Sequence, residues 1–419
     1  MKKYIPRLVD KVLDEELNAF GAVLITGPKW CGKTTTAKQK AKSVINFQDQ
    51  DNRDSYLQTA MLRPSALLVG DNPRLIDEWQ TIPQIWDAVR QEVDNRGEER
   101  LFILTGSSHV DSSKILHSGV GRISRIRMRT MSLYESGNSN GSISLASLFN
   151  DGAINENIVS NLTLEDISKL VVKGGWPQSV NKSLEIAIRQ NKSYVDLIAS
   201  EEMKTVDGKI RDSHKVLELL KSIARNTSTA ASDQTILADV KANNESMHIT
   251  TLNEYVKTLK ELYVIEDLPA WTPKLRSKAT IRTKHVRHFT DPAISAVLLN
   301  ASPNDLIYDI ETFGLLFESM VIRDLRVYSQ YLSGEVFHYR DSDGLEADAI
   351  IHLDDGRWGA FEIKLGSRQI DEAAKNLLKL KNKVNIKNEP SFLGVITATQ
   401  FGYKREDGVY VIPITCLKP

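Results

Sequence analysis

"AVLITGPKWCGKTTTAKQKA", residues 22–41, is an apolar run, a glycine-bounded loop and the start of a helix. Gly27 to Thr34 fits G-x-x-x-x-G-K-[ST] at every fixed position. The order has a chemical logic. Glycines let backbone N–H groups close round phosphate oxygens, and the helix N-terminus behind them adds a favourable dipole. Lys33 would reach the β- and γ-phosphates, and the Thr34 hydroxyl would ligate Mg²⁺. The expected nucleotide-binding set is Gly27, Pro28, Lys29, Trp30, Cys31, Gly32, Lys33, Thr34 and Thr35, with Cys31 read as filler rather than nucleophile.

Two further apolar strands complete the pattern. "PRLIDEWQ" (73–80) ends in adjacent acids, with Asp77 lying 44 residues after Lys33. Asp77 would hold the Mg²⁺ shell through water, and Glu78 would polarise an attacking water. "LFILTGSSH" (101–109) ends in small polar residues, and ligands of parallel α/β sheets sit at the carboxyl ends of strands. Ser107 or Ser108 could therefore meet the γ-phosphate or the attacking water. Arg122, in "SGVGR", could complete a neighbouring subunit's site as an arginine finger, with Arg125 as its competitor.

The series "YIPR" (4–7), "GPKWCGKTT", "LIDEWQ", "LTGSS", "GR" and "LYE" (133–135) resembles the bacterial and archaeal AAA-type ATPases that carry a C-terminal domain of unassigned function, DUF4143. The resemblance runs on through "GGWP" (174–177), "IARNTS" (223–228) and "YVKTLKELYVIEDLPAW" (255–271), and so covers nearly the whole chain. Lys29 stands where such proteins usually have Arg, and Trp79 replaces a usual aliphatic residue. Neither departure touches a catalytic position.

The middle of the chain is helical in pattern. A Ser/Gly/Asn-rich stretch at 136–145 marks a loop at the edge of the first domain, and residues up to about 210 read as a small helical lid packed on it. From Ser213 three amphipathic segments follow, the third with Leu252, Tyr255, Val256, Leu259 and Leu262 at helical spacing. A strand pair comes next, which is a winged-helix order. The third helix shows Lys257, Lys260, Glu254 and Glu261 on its outer face, an even charge. "KLRSKATIRTKHVRH" (274–288), with six Lys or Arg and no acid, is the better candidate for phosphate contact.

The last domain reads as helix, three strands, helix, strand. "IYDIETFGLLFESMVIRDLRVYSQYL" (307–332) is a long helix containing Glu318, and the strands that follow carry Asp348 and then Glu362 and Lys364. Residues i and i+2 of a strand share a face, so Glu362 and Lys364 point the same way and Asp348 can join them from the next strand. Three carboxylates without a cation would repel and be costly to bury. The order and these four residues resemble Holliday-junction resolvases and related PD-(D/E)xK nucleases of the restriction-endonuclease-like fold. That resemblance implies Glu318, Asp348 and Glu362 as ligands of one or two Mg²⁺ ions and Lys364 as a charge-steadying or water-orienting group; Gln369, outside the matched set, is a further candidate for the ligand shell.

Bulk properties bound the rest. Of 419 residues 41% are hydrophobic and 26% charged, which suits a globular chain of two to four domains. Lys and Arg number 54 and Asp and Glu 54, so no global field draws the chain to nucleic acid. Cys31 and Cys416 are the only cysteines and make no disulfide framework or zinc set. No apolar run spans a membrane and the N-terminal segment lacks a signal-peptide core, so a cytoplasmic protein is expected. The expected architecture is α/β: a P-loop AAA-type ATPase core (1–150), a helical lid (151–210), a winged-helix domain (211–284) and a restriction-endonuclease-like domain (285–419). The expected activity is ATP hydrolysis with Mg²⁺, coupled to DNA as a motor or branch-migration-type remodeller, in a ring or other oligomer, with metal-dependent nuclease capacity left open. The alternatives are an ATP-gated nuclease and a nucleotide-gated switch with a protein partner.

Overall fold

The computed structural model describes residues 3–106, 118–150, 152, 158–203, 211–242, 247–273, 284–384 and 389–419. Two compact units emerge. The first comprises residues 1–130, 201–210 and 257–264, and the second comprises 131–200, 211–256 and 265–419.

The first unit is built on a parallel sheet of β1 (Ala22–Thr26), β2 (Ser43–Asn46), β3 (Arg74–Asp77), β4 (Phe102–Thr105) and β5 (Ile123–Arg127), in the order β2-β3-β4-β1-β5. Side chains alternate across a strand, and here both faces are apolar. Ala22, Leu24, Ile76, Phe102 and Leu104 join Trp79 and Trp86 in one cluster. Val23, Ile25, Leu75, Ile103 and Ile126 join Leu13 and Leu17 of α1 (Val9–Ala19) in the other. The sheet is thus covered on both sides, and β1 lies between β4 and β5, which puts the loop after β1 at the switch in strand order.

The second unit holds a seven-stranded mixed sheet in the order β10 (Gly334–Arg340), β11 (Glu346–Leu353), β12 (Trp358–Lys364), β13 (Phe392–Thr397), β15 (Tyr410–Pro413), β14 (Phe401–Lys404) and β7 (Ile158–Val159). The expected helix, three strands, helix and strand are present: Ile310–Tyr331, β10 (Gly334–Arg340), β11 (Glu346–Leu353), β12 (Trp358–Lys364), Ile370–Val384 and β13 (Phe392–Thr397). The helix expected from 307 instead breaks at Asp309, which leaves a short Pro303–Tyr308 helix and caps the long one by accepting from the Thr312 N–H. Helices Ser213–Arg225, Asp233–Lys241 and Ile249–Glu261 are followed by an antiparallel pair, β8 (Ile265–Leu268) with β9 (Val286–Phe289).

Three expected boundaries move. The division at 284/285 would cut the β8–β9 pair, in which Leu268 faces Val286 and Ile265 faces Phe289. The first domain was expected to run to 150, but the contacts change at 130/131. Of residues 151–210, expected as a lid on the first domain, 151–200 belong to the second unit and 201–210 to the first. The physical reason lies in hydrogen bonds. β6 (Ile143–Ser144) pairs with β16 (Leu417–Lys418), and β7 (Ile158–Val159) caps the open edge of β14 (Phe401–Lys404).

A buried ionic network holds the same stretch. Arg323 (3% exposed) reaches Asp324 Oδ1 from Nη2 at 2.7 Å and Asp291 Oδ2 from Nη1 at 3.2 Å, and both acids are fully buried. Asp324 also accepts from the Leu133 N–H at 2.9 Å, and Asp291 from the N–H groups of Gly175 at 2.8 Å and Ala293 at 3.0 Å. Gly175 has no room for a side chain, since a Cβ would sit 2.1 Å from the Met131 carbonyl oxygen. Breaking a buried pair strands its partner charge. Asp324→Ala is expected to cost about 3–5 kcal/mol, read as a fall in urea midpoint, and Arg323→Met, which strands both Asp324 and Asp291, at least as much.

Candidate functional site

The loop after β1 has the shape the sequence demands. Gly27 has φ +144° and a Cβ there would lie 2.1 Å from the Met128 carbonyl oxygen, so the chain has no alternative to glycine. Gly32, at φ 104°, turns the chain into α2 (Lys33–Lys40). Lys33 is buried and folds back over the loop, donating to the carbonyls of Gly27 and Pro28 at 2.9 Å each. The Thr34 hydroxyl donates to Asp77 Oδ1 at 2.7 Å. The neighbouring Thr105 hydroxyl donates to the same oxygen, and the β3–β4 register sets Asp77 opposite Thr105. Hydroxyl and carboxylate oxygens are the hard donors that Mg²⁺ takes, so Thr34 and Asp77 fit that ion.

The other expected residues stand as follows. Cys31 is fully buried, Trp30 is 40% exposed with φ 67°, and Thr35 is exposed on α2. Lys29 forms an ion pair of 2.6 Å with Glu202. Glu78 follows Asp77 in a left-handed conformation, φ 56°, and its carboxylate accepts from the Gln80 side chain. Ser107 and Ser108 lie outside the described residues. Arg122 is engaged with Asp94 at 2.7 Å, on α4 (Gln84–Arg96), and Arg125 lies over the Trp86 ring at 5.4 Å.

Arg7 was not singled out by spacing, yet it props the loop. Its Nη1 donates to the Cys31 carbonyl and its Nη2 to the Arg129 carbonyl, each at 2.9 Å. Tyr4 steadies the helix beside it, with its hydroxyl 2.7 Å from Asp10 and 3.0 Å from the Thr36 hydroxyl. The signal was "YIPR" itself, an Arg and a Tyr just upstream of the first helix. Hydrogen bonds to a charged donor are worth about 1.5–3 kcal/mol, so Arg7→Ala is expected to weaken binding of a fluorescent ATP analogue roughly tenfold or more, measured by titration.

The four C-terminal residues converge in the second unit. Where β11 parts from β12, Asp348 replaces a backbone acceptor: its Oδ2 takes the Ile363 N–H at 2.7 Å and the Lys364 ammonium at 3.0 Å. Lys364 also meets Glu362 Oε2 at 2.6 Å. Glu318 comes from the Ile310–Tyr331 helix; burial and then the Asp348 charge push its carboxyl well above the usual range. Burial, reinforced by Asp348, pushes Glu362 up to about 8. Burial works against the Lys364 charge, but the Asp348 and Glu362 carboxylates outweigh it and hold that ammonium up. Gln369 is exposed on the turn after β12. The donor set is all oxygen, as a hard cation needs. The geometry is different, because Lys364 sits between two of the acids, and among the described residues no three His, Cys, Asp or Glu side chains are gathered to hold a metal.

Of the basic run at 274–288, residues 274–283 lie outside the described residues. Arg287 is tied to Asp267 at 3.0 Å and Asp233 at 3.2 Å. Among the described residues no helix is long and apolar enough to cross a membrane.

The carboxylate cluster gives stability a pH slope. The folded chain keeps a proton on Glu362 that an unfolded chain loses near its ordinary value of 4.5. This contribution is full below about 4.5 and is lost as pH rises through about 8. Urea midpoints are expected to fall from pH 5 to pH 8.5 in the native protein and to fall less in Glu362→Gln.

Comparison with known proteins accords with the two ends of the chain. Residues 19–137 match a family model described as an AAA domain, residues 164–305 one described as a domain of unknown function (DUF8612), and residues 313–417 a domain of unknown function (DUF4143). A search of the curated proteins gives no match. Among solved structures, a Walker-type ATPase of Pyrococcus abyssi is similar at 12% identity and TM-score 0.41, over 71% of this chain and 96% of that one. A single-site variant of Thermotoga maritima RuvB aligns at 16% identity and TM-score 0.25, over 62% and 89%. The Drosophila ORC bound to DNA aligns at 13% and 0.21, over 67% and 88%. Scores this low carry no argument about activity. The chain carries an AAA domain at residues 19–137 and a DUF4143 domain at residues 313–417.

Proposed function

We propose that this chain hydrolyses ATP and couples hydrolysis to DNA as a motor or branch-migration-type remodeller. The observation that carries the ATPase reading is the Asp77 carboxylate, which gathers the Thr34 and Thr105 hydroxyls at the mouth of the Gly27–Gly32 loop. Lys33 leaves the Gly27 and Pro28 carbonyls to neutralise the β- and γ-phosphates. Thr34 and Asp77 would hold a Mg²⁺ ion, which would supply charge compensation on the phosphate oxygens. Glu78 orients a water whose oxygen attacks the γ-phosphorus; the bond to the β,γ-bridging oxygen breaks, ADP leaves, and Glu78 accepts the water's proton. Arg122 completes a neighbour's site after exchanging Asp94 for a γ-phosphate, which makes the active form an oligomer, read here as a ring.

The DNA reading is supported by the three-helix and strand-pair segment and by the convergence of Glu318, Asp348, Glu362 and Lys364. Because the Lys364 ammonium already stands between Asp348 and Glu362, the domain is read as binding DNA without cutting it. The same convergence favours a second reading, an ATP-gated nuclease, in which Lys364 swings aside and Glu318, Asp348 and Glu362 take the Mg²⁺.

Steady-state ATP hydrolysis, alone and with single-stranded, duplex and four-way-junction DNA, tests both. One DNA form is expected to raise the rate severalfold, Lys33→Ala to abolish it, and a gel of the same tubes to show intact DNA. Cutting in Mg²⁺ or Mn²⁺ that disappears in Asp348→Ala and Lys364→Ala would replace this reading with the nuclease. A rate indifferent to every DNA would replace it with a nucleotide-gated switch acting on a protein.

A further inference from the structure

Gln80 has no assigned role, yet it holds the Glu78 carboxylate. A carboxylate accepts and does not donate, so only the amide N–H can face it, and the amide oxygen must point the other way. That oxygen is buried and has no hydrogen-bond partner among the described residues. It lies against the end of β4, where a Cβ added to Gly106 would come within 2.7 Å of it and 3.0 Å of Trp79 Nε1. The turn that presents the pair is fixed independently. Glu78 is left-handed at φ 56°, Thr81 N–H closes on the Glu78 carbonyl at 3.0 Å, and Trp79 packs on Trp86 with ring centroids 4.8 Å apart.

A non-glycine residue held at positive φ is a constraint that a surrounding structure must enforce. Here the enforcing parts are a packed tryptophan below and a side-chain amide beside the carboxylate. We propose that Gln80 is the positioning residue that aims the Glu78 carboxylate at the attacking water, and that Gly106 is glycine because any side chain there would lever Gln80 off Glu78. This deepens the ATPase reading and rests on it. The role assigned to Gln80 runs through its bond to Glu78. It is therefore expected to set turnover and to leave nucleotide binding alone.

The experiment is a double-mutant cycle of Gln80→Ala and Gly106→Ala in the full chain, with kcat and KM for ATP and the affinity for a fluorescent ATP analogue. Gln80→Ala is expected to lower kcat about tenfold or more, with KM and analogue affinity within about twofold of the native values. Gly106→Ala, whose backbone tolerates alanine, is expected to do the same by displacement. In the Gln80→Ala background the 2.7 Å clash is gone and only the 3.0 Å approach to Trp79 Nε1 remains, so the change should cost much less there than in the native chain. Retained kcat in Gln80→Ala overturns the proposal, as does a Gly106→Ala loss that persists undiminished in the double variant. Failure of the ATPase reading looks different: the native chain would not hydrolyse ATP above the Lys33→Ala blank. Unchanged analogue affinity in all three variants certifies that each has folded.

Discussion

One guanidinium organises the second unit. Arg323 lies among buried groups, and its charge is tolerable only because Asp324 and Asp291 are there to meet it. Those two acids have lone pairs left over, and they direct them at the N–H groups of Leu133, Gly175 and Ala293. A single ionic centre therefore fixes the segment at 131–139, the "GGWP" turn, the helix at Pro292 and the long helix that also carries Glu318.

The first unit depends on shorter-range logic. A parallel strand delivers Asp77 beside Thr105, the loop delivers Thr34 to the same oxygen, and Arg7 braces that loop from outside through a carbonyl of Cys31. These are hydrogen bonds between neighbours in a sheet and the loops at its ends. They join residues 24 to 43 apart in the sequence, against the 191 that separate Leu133 from Asp324.

That difference explains what could be read from residues alone. The phosphate loop, the acidic strand end and the order of elements around Glu318, Asp348, Glu362 and Lys364 were legible because each is a local pattern: a fixed spacing, a period of two, a period near four. The change of unit at 130/131 was not. β6 and β7 are two residues each, too short for any period, and they exist only because a distant strand leaves an edge open. Gln80 and Gly106 escaped for a related reason. Each reads as an unremarkable turn residue, and their meaning appears when β3 and β4 lie side by side. The position of Lys364 between Asp348 and Glu362 was the third surprise: spacing implied the shared face but not that the lysine would stand where a cation is expected.

The pairing of β6 with β16 also bears on how the molecule is made. Ser139 donates to the Leu417 carbonyl at 2.7 Å, and Ile143 and Ser144 pair with Leu417 and Lys418. A ribosome releases these partners some 275 residues apart (Ser144 and Pro419 are joined as well). Until Leu417 and Lys418 have been synthesised, Ile143 and Ser144 lack their strand partners. Translation thus imposes an order: the second unit closes late, with a loop-closure cost that grows only slowly with that separation. Its earliest segment waits through most of synthesis as an unpaired strand, the state in which a nascent chain depends most on whatever shields it.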